Sequence, residues 1–200
     1  MRKLSLIACL VALAGCSKPA PEERAKDQKS PELYRVNIDS SKGPFVIEIH
    51  RDWAPLGADR FYTLVKSGFF DGARFFRVIP AFMVQFGISG NPATTKRWNG
   101  TEFADDPGRQ SNTRGMVSFA TRGPNTRTTQ VFINFGNNAR LDGQGFTPFG
   151  RVVSGMDVVD QLYSGYGESP DQTRIESEGA SYTEKDFPRL DYIKTAKIGG

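Results

Sequence analysis

The sequence predicts a mainly β domain, a barrel or sandwich rather than a parallel sheet. Three observations lead there. Short runs alternate apolar and polar residues, only two stretches carry helical spacing, and glycine and proline break the chain between them. Its 200 residues, 38% hydrophobic and 24% charged, suffice for one domain with a real core plus extra segments.

The elements follow in order. "LYRVNID" (33–39) and "FVIEIH" (45–50) alternate on either side of "SSKGP", which predicts a hairpin. "APLGADRFYTLVKSG" spaces Leu56, Phe61, Leu64 and Val65 at helical intervals and stops at Gly68. "RFFRVIPAFMVQFG" (74–87) reads as two strands broken at Pro80 and Ala81. The polar, glycine-punctuated stretch 92–115 is expected to be a long surface loop. Short strands follow at "MVSFA", "QVFINF" and "PFGRV". "MDVVDQLYSG" predicts a second short helix, and "LDYIKTAKI" alternates as a last strand. Between those two, 166–188 is a polar insertion with room for a helical turn. No internal repeat is present.

The N-terminus has its own logic. "MRKLSLIACLVALAG" places two basic residues before a short apolar stretch and small residues, the pattern of a secretory signal. Its uncharged run of 12 residues, Leu4–Gly15, is shorter than the roughly 18 that a spanning helix needs. "LAGC" looks like a bacterial lipobox, in which Cys16 becomes the lipidated first residue. The mature domain then has no thiol, because Cys9 leaves with the signal. Ser17 rather than an aspartate after Cys16 favours the outer membrane, facing the periplasm, over the inner one. Residues 17–31 hold three prolines, many charges and no large apolar side chain, and read as a solvated tether. Near polyproline geometry it reaches roughly 45 Å, at ~3.1 Å per residue. The expected division is a signal at 1–15, a lipidated tether at 16–31 and a folded, monomeric domain at 32–200.

Composition narrows the chemistry. The 26 basic residues, less Arg2 and Lys3 of the signal, leave 24 against 22 acidic ones. That small, mixed excess gives no argument for a nucleic-acid partner. His50 is the single histidine and reads as a strand-end rim residue. No histidine pair or cysteine cluster offers a metal site, no serine sits in a nucleophile elbow, and no glycine-rich loop precedes a helix. An enzyme built from this chain works without metal, cofactor, nucleophile or histidine. The oddity is then Arg77 and Gln85, a cation and an amide inside an apolar run. Taken alone, Arg77 fits a solvated strand face, Phe82, Phe132 and Leu141 fit a core, and Gln85 and Gln130 fit structural amides.

A resemblance gives them a second reading. "FFRVIPAFMVQFG" resembles the signature of the cyclophilins, the cyclosporin-binding family of peptidyl-prolyl cis-trans isomerases. "VSFATRGPNTRTTQVFIN" (117–134) looks like the family's second signature, and "RLDGQGFTPFGRVVSGMDVVD" is similar to its later Leu-Asp-Gly segment and second helix. The resemblance covers Leu33 to Tyr163 and the last strand. It implies a closed eight-stranded antiparallel β-barrel capped by two α-helices, with the site in an outer groove. It also implies that Arg77 is the catalytic arginine. Phe82, Met83, Gln85, Ala120, Thr121, Gln130, Phe132 and Leu141 then line the substrate groove. Thr121 stands where the family usually has asparagine. Three further departures are visible: Arg140 at the position of a cyclosporin-contacting tryptophan, Phe146 near a pocket histidine, and Phe76 for the histidine before the arginine. Weak cyclosporin inhibition is therefore expected. The implied partners are proline-containing peptides and unfolded envelope proteins. The alternatives are a proline-peptide binding or chaperone module with little turnover, and a structural lipoprotein with a silent barrel.

Overall fold

The computed structural model describes residues 26–199. The signal at 1–15 and Cys16 lie outside the described residues. Among the described residues eight strands form one antiparallel sheet: β1 (Leu33–Ser40), β2 (Gly43–His50), β3 (Arg77–Ile79), β4 (Met83–Phe86), β5 (Met116–Phe119), β6 (Val131–Asn134), β7 (Pro148–Ser154) and β8 (Ile193–Gly199). Their hydrogen-bonded order is β3-β4-β6-β5-β7-β2-β1-β8.

The period-two pattern fixes which side faces in. Val78, Val84, Ile133 and Val117 are register partners across four neighbouring strands, and all four are buried in the main core. Val36, Ile38, Ile47 and Ile49 supply the other end, and Phe61, Phe70, Phe75, Phe86, Phe119 and Phe149 fill the middle with edge and tilted ring contacts.

The closed barrel expected from the resemblance is corrected to an open, curled sheet. β3 and β8 end the strand order and share no ladder. The segments just before them meet instead, through an Arg74–Tyr192 bridge and a Phe75 N–H that donates to the Asp191 carbonyl at 2.9 Å. Occupancy explains this. The N–H of Val78 on β3 donates to the Gly167 carbonyl at 3.1 Å, so the 166–188 insertion takes the edge that a closing strand would need.

Two helices were expected; five α-helices occur among the described residues. α1 (Pro55–Lys66) buries Phe61, Leu64 and Val65 as its spacing predicts, while Leu56 in its first turn is exposed. It has no cap of its own. Asp106 does that work from a distance, accepting from the N–H groups of Leu56 and Gly57 at 2.9 Å each. α2 (Pro92–Trp98) lies in the expected loop, started by Asn91, whose side chain accepts from Ala93 N–H at 2.9 Å. α3 (Met156–Asp160) is the predicted second helix, five residues long. The insertion carries α4 (Gln172–Glu178) and α5 (Ala180–Asp186). Ile175 and Tyr182 from these helices pack with Phe76 and Ile88 into a separate small core. The last residues of the stretch read as tether lie along α1: Asp27 pairs with Arg60 at 2.7 Å, and the Ser30 N–H donates to Asp59 at 2.8 Å.

Candidate active site

Alternation answers the question that Arg77 and Gln85 raise. With Val78 and Val84 turned into the core, Arg77 and Gln85 stand on the outer face as direct cross-strand partners, and Phe132 on β6 is the next partner in the row. The polar residues in the apolar run are thus no fault of patterning; both stand on the outer face of the sheet, Arg77 half-buried and Gln85 buried there.

That face opens into a groove of about 580 Å³. Arg77, Phe82, Met83, Gln85, Ala120, Thr121, Gln130, Phe132 and Leu141 all line it, so the structure brings every residue singled out for the groove to one place. Met83, Phe132 and Leu141 form an apolar cluster with Phe82, Ala120 and Phe146 packed around it. Phe146, near which the resemblance puts a pocket histidine, meets Phe132 edge-on with ring centres 5.7 Å apart. His50 is no part of this lining; it stacks on Trp53 at 3.8 Å and bonds Glu48.

The walls are fixed by backbone bonds. Leu141 sits on a 3₁₀ turn (Ala139–Gln144) that ends at Gly145, whose φ of 85° suits glycine. Asn112 anchors that turn from below. Its Nδ2 donates to Asp142 Oδ1 at 2.8 Å and to the Phe146 carbonyl at 2.7 Å, and its Oδ1 accepts from Ser118 at 2.7 Å. Burial pushes the Asp142 carboxyl up, but hydrogen bonds from Ser111 and Asn112 outweigh it and hold the group below the usual carboxylate range. Phe82 is held by its carbonyl, which accepts from Phe135 N–H at 2.9 Å and Asn138 Nδ2 at 2.7 Å.

The polar side is a relay. Arg77 Nη1 donates to Gln85 Oε1 at 3.3 Å, Gln85 Nε2 donates to Gln130 Oε1 at 2.8 Å, and the Gln130 carbonyl accepts from Ala120 N–H at 2.9 Å. Arg77 also lies 6.0 Å from the centre of the Phe82 ring, and Arg140 covers the same ring at 5.0 Å. A half-buried guanidinium therefore stands beside an apolar hollow, with neutral amides behind it.

The family model for cyclophilin type peptidyl-prolyl cis-trans isomerases matches residues 33–179. The chain belongs to the cyclophilin family. It is a peptidyl-prolyl cis-trans isomerase. It is 41% identical over 137 residues to the peptidyl-prolyl cis-trans isomerase-like 1 of Rhizopus delemar, covering 66% of this chain and 81% of that one. It is 38% identical over 136 residues to the isomerase ppi1 of Schizosaccharomyces pombe, covering 65% and 85% respectively. Among solved structures it resembles a cyclophilin-type isomerase of Cryptosporidium parvum, with a TM-score of 0.64 at 22% identity, covering 84% of this chain and 98% of that one. At that identity the likeness speaks for the fold. The same protein has been crystallised in the presence of the dipeptide Ala-Pro.

Sequence reading missed the far end of the groove. Asn99, Gly100 and Glu102 line it after α2, and Gln172 and Glu176 line it from α4. Nothing in the polar insertion marked it as a wall. Ile175, Tyr182 and Phe76 were the available signal, since an aromatic ring where the resemblance puts a histidine needs something to cover it.

Proposed function

We propose that this cyclophilin isomerises X–Pro bonds in cell-envelope proteins, anchored through a lipid on Cys16, with Arg77 as its catalytic group. The rotation barrier of a peptide bond is about 18–20 kcal/mol because of amide resonance. At X–Pro both isomers are accessible, yet uncatalysed exchange takes roughly tens to hundreds of seconds. In the twisted transition state conjugation is lost and the prolyl nitrogen regains its lone pair. It becomes a hydrogen-bond acceptor that it was not in the planar ground state. A guanidinium fixed at that position binds the transition state selectively, which is the requirement for acceleration. Arginine suits this because it stays charged and offers several donors in a rigid fork.

One such bond contributes about 1.5–3 kcal/mol, whereas a thousandfold acceleration needs about 4. The hollow supplies the rest. Twisting lowers the amide's charge separation, so an apolar setting favours the transition state over the ground state. Phe82, Met83, Phe132 and Leu141 hold the proline ring there. Gln85 and the backbone at Thr121 hold the carbonyl side, so that one half of the imide turns against the other.

The observation that carries this reading is the convergence of Arg77, Gln85 and the Met83–Phe132–Leu141 cluster on one open groove. The envelope location rests on the "LAGC" pattern after a charged, then apolar, start. Two measurements test the proposal. NMR exchange spectroscopy on an X–Pro peptide is expected to show faster isomer exchange with catalytic amounts of protein; broadening without faster exchange marks a binder. Metabolic labelling with a fatty acid is expected to tag the wild type and not Cys16→Ala, and an untagged wild type contradicts the anchor.

A further inference from the structure

The insertion reaches the centre of the site. Arg77 Nε donates to Glu168 Oε2 at 2.7 Å, and Nη2 lies 2.7 Å from the same oxygen. Glu168 is exposed, and by itself an exposed ion pair contributes little. Three features make this pair more than a chance surface contact.

First, the backbone that delivers Glu168 is pinned beside Arg77. The Gly167 carbonyl accepts from Val78 N–H at 3.1 Å, and Gly167 N–H closes a turn onto the Ser164 carbonyl at 2.9 Å. Second, the loop is braced by an aromatic chain: Tyr163, Tyr166 and Phe187 meet edge-on at 5.1 and 5.0 Å. Third, the same insertion packs Ile175 and Tyr182 on Phe76. Both chain neighbours of Arg77, Phe76 and Val78, are therefore held by the insertion, while Glu168 holds its side chain.

We propose that Glu168 is a positioning residue for Arg77, and that the 166–188 insertion exists in this chain to set the guanidinium before substrate arrives. The inference rests on the reading of Arg77 given above. Five N–H groups are available on a guanidinium. Glu168 takes the Nε/Nη2 edge and Gln85 accepts from Nη1, which fixes the plane and leaves the remaining donors for the substrate. A long, rotamer-rich side chain held in advance loses less freedom when the transition state forms, so the gain falls on turnover rather than on substrate affinity. Because Glu168 lies on the surface, its removal leaves the fold intact.

The test is a double-mutant cycle on a proline tetrapeptide, with kcat and KM measured for wild type, Glu168→Ala, Glu168→Gln, Arg77→Ala and the Arg77→Ala/Glu168→Ala pair. Glu168→Ala is expected to lower kcat about two- to fivefold, the ratio that an exposed ion pair's energy allows, with KM nearly unchanged. Glu168→Gln, which keeps an acceptor, recovers part of the loss. In the Arg77→Ala background the change at 168 has no further effect. An unchanged or raised kcat in Glu168→Ala overturns the inference, the second marking a brake instead of a support. The same loss in both backgrounds also overturns it, since it then does not act through Arg77. Full turnover in Arg77→Ala overturns the site reading and this inference together; loss there but not in Glu168→Ala overturns this inference alone.

Discussion

Gln85 stands directly opposite Arg77 in the β3–β4 ladder, accepting from its Nη1 at 3.3 Å while donating to Gln130 at 2.8 Å. The amide is buried and has one oxygen and one nitrogen to spend, each on a different neighbour. It therefore ties the cation of an edge strand to the sheet interior and leaves the groove floor without an unpaired polar group. The same residue that looked misplaced in an apolar run is what keeps the guanidinium from drifting.

Asp106 carries more of the fold than its position in a loop suggests. It accepts from two N–H groups at the start of α1 and from Arg127 Nη1 at 3.1 Å, and Arg127 is fully buried. Burial pulls the Arg127 guanidinium below its ordinary range, opposed by Asp106 and then Asp105. Asp106→Ala leaves a buried cation half-paired and α1 uncapped, and is expected to cost about 3–5 kcal/mol in urea denaturation. A cost below about 1 kcal/mol contradicts this role.

The turn that joins β3 to β4 is strained at Ala81. Phe82 N–H donates to the Ile79 carbonyl at 3.1 Å, and Ala81 between them has φ of 61°. Proline second and a positive φ third is the type II arrangement, which favours glycine at the third place. The left-handed region costs a residue with a Cβ about 1–2 kcal/mol, while glycine's freer unfolded chain takes back about 0.4–1 kcal/mol. Ala81→Gly is expected to stabilise by a few tenths to about 1 kcal/mol, measured by thermal or chemical unfolding, with turnover unchanged. Destabilisation argues that Ala81 makes contacts worth more than the strain.

Acid stability is tied to Glu48. Hydrogen bonds from Arg35 and then Arg151 outweigh its burial, with His50 adding a smaller pull, and lower its carboxyl from the ordinary 4.5 to about 2. A depressed value in the folded state means that the stabilisation is complete above pH 4.5 and disappears as pH falls through 2. Glu48→Gln is expected to be less stable at neutral pH by about 1 kcal/mol, since its arginine partners are half in solvent. The gap from wild type then closes as pH falls from 4.5 to about 2. A gap that stays constant with pH contradicts the assignment.

Much of this was legible in the residues, and what was not has physical causes. Alternation placed β1, which buries every second residue, while β4, β5 and β6 are buried throughout and showed as short apolar runs, and α1 announced itself by Phe61, Leu64 and Val65. The groove residues were legible only through the resemblance; periodicity alone makes Phe132 and Leu141 core, and their burial agrees. α2 was missed, and α4 and α5 were read as no more than a helical turn, because a helix of seven residues with one or two buried side chains leaves almost no periodic trace. Asn91 before Pro92 and Asp171 before α4 were the start signals within reach. Barrel closure failed as an expectation because it depends on which partner takes Val78 N–H, and no local pattern says that.

Arg140 bears on inhibition. The resemblance, counted without gaps from Phe132, aligns it with a tryptophan that contacts cyclosporin in several family members, and its guanidinium covers Phe82 at 5.0 Å, at the rim of the hollow. A charged, hydrated group there disfavours an apolar macrocycle. Weak cyclosporin inhibition is expected, strengthened by Arg140→Trp. A nanomolar inhibition constant for the wild type contradicts it.

The most direct measurement is the rate of X–Pro exchange, by NMR, with wild type and Arg77→Ala at equal concentration. Loss of one charge-assisted bond in the transition state is expected to reduce kcat/KM by about 10- to 150-fold, the ratio given by 1.5–3 kcal/mol. Far-UV circular dichroism is expected to show that the variant stays folded, with a modest loss of thermal stability because the Gln85 oxygen loses its donor. Exchange as fast with alanine at position 77 as with arginine contradicts the account at its centre.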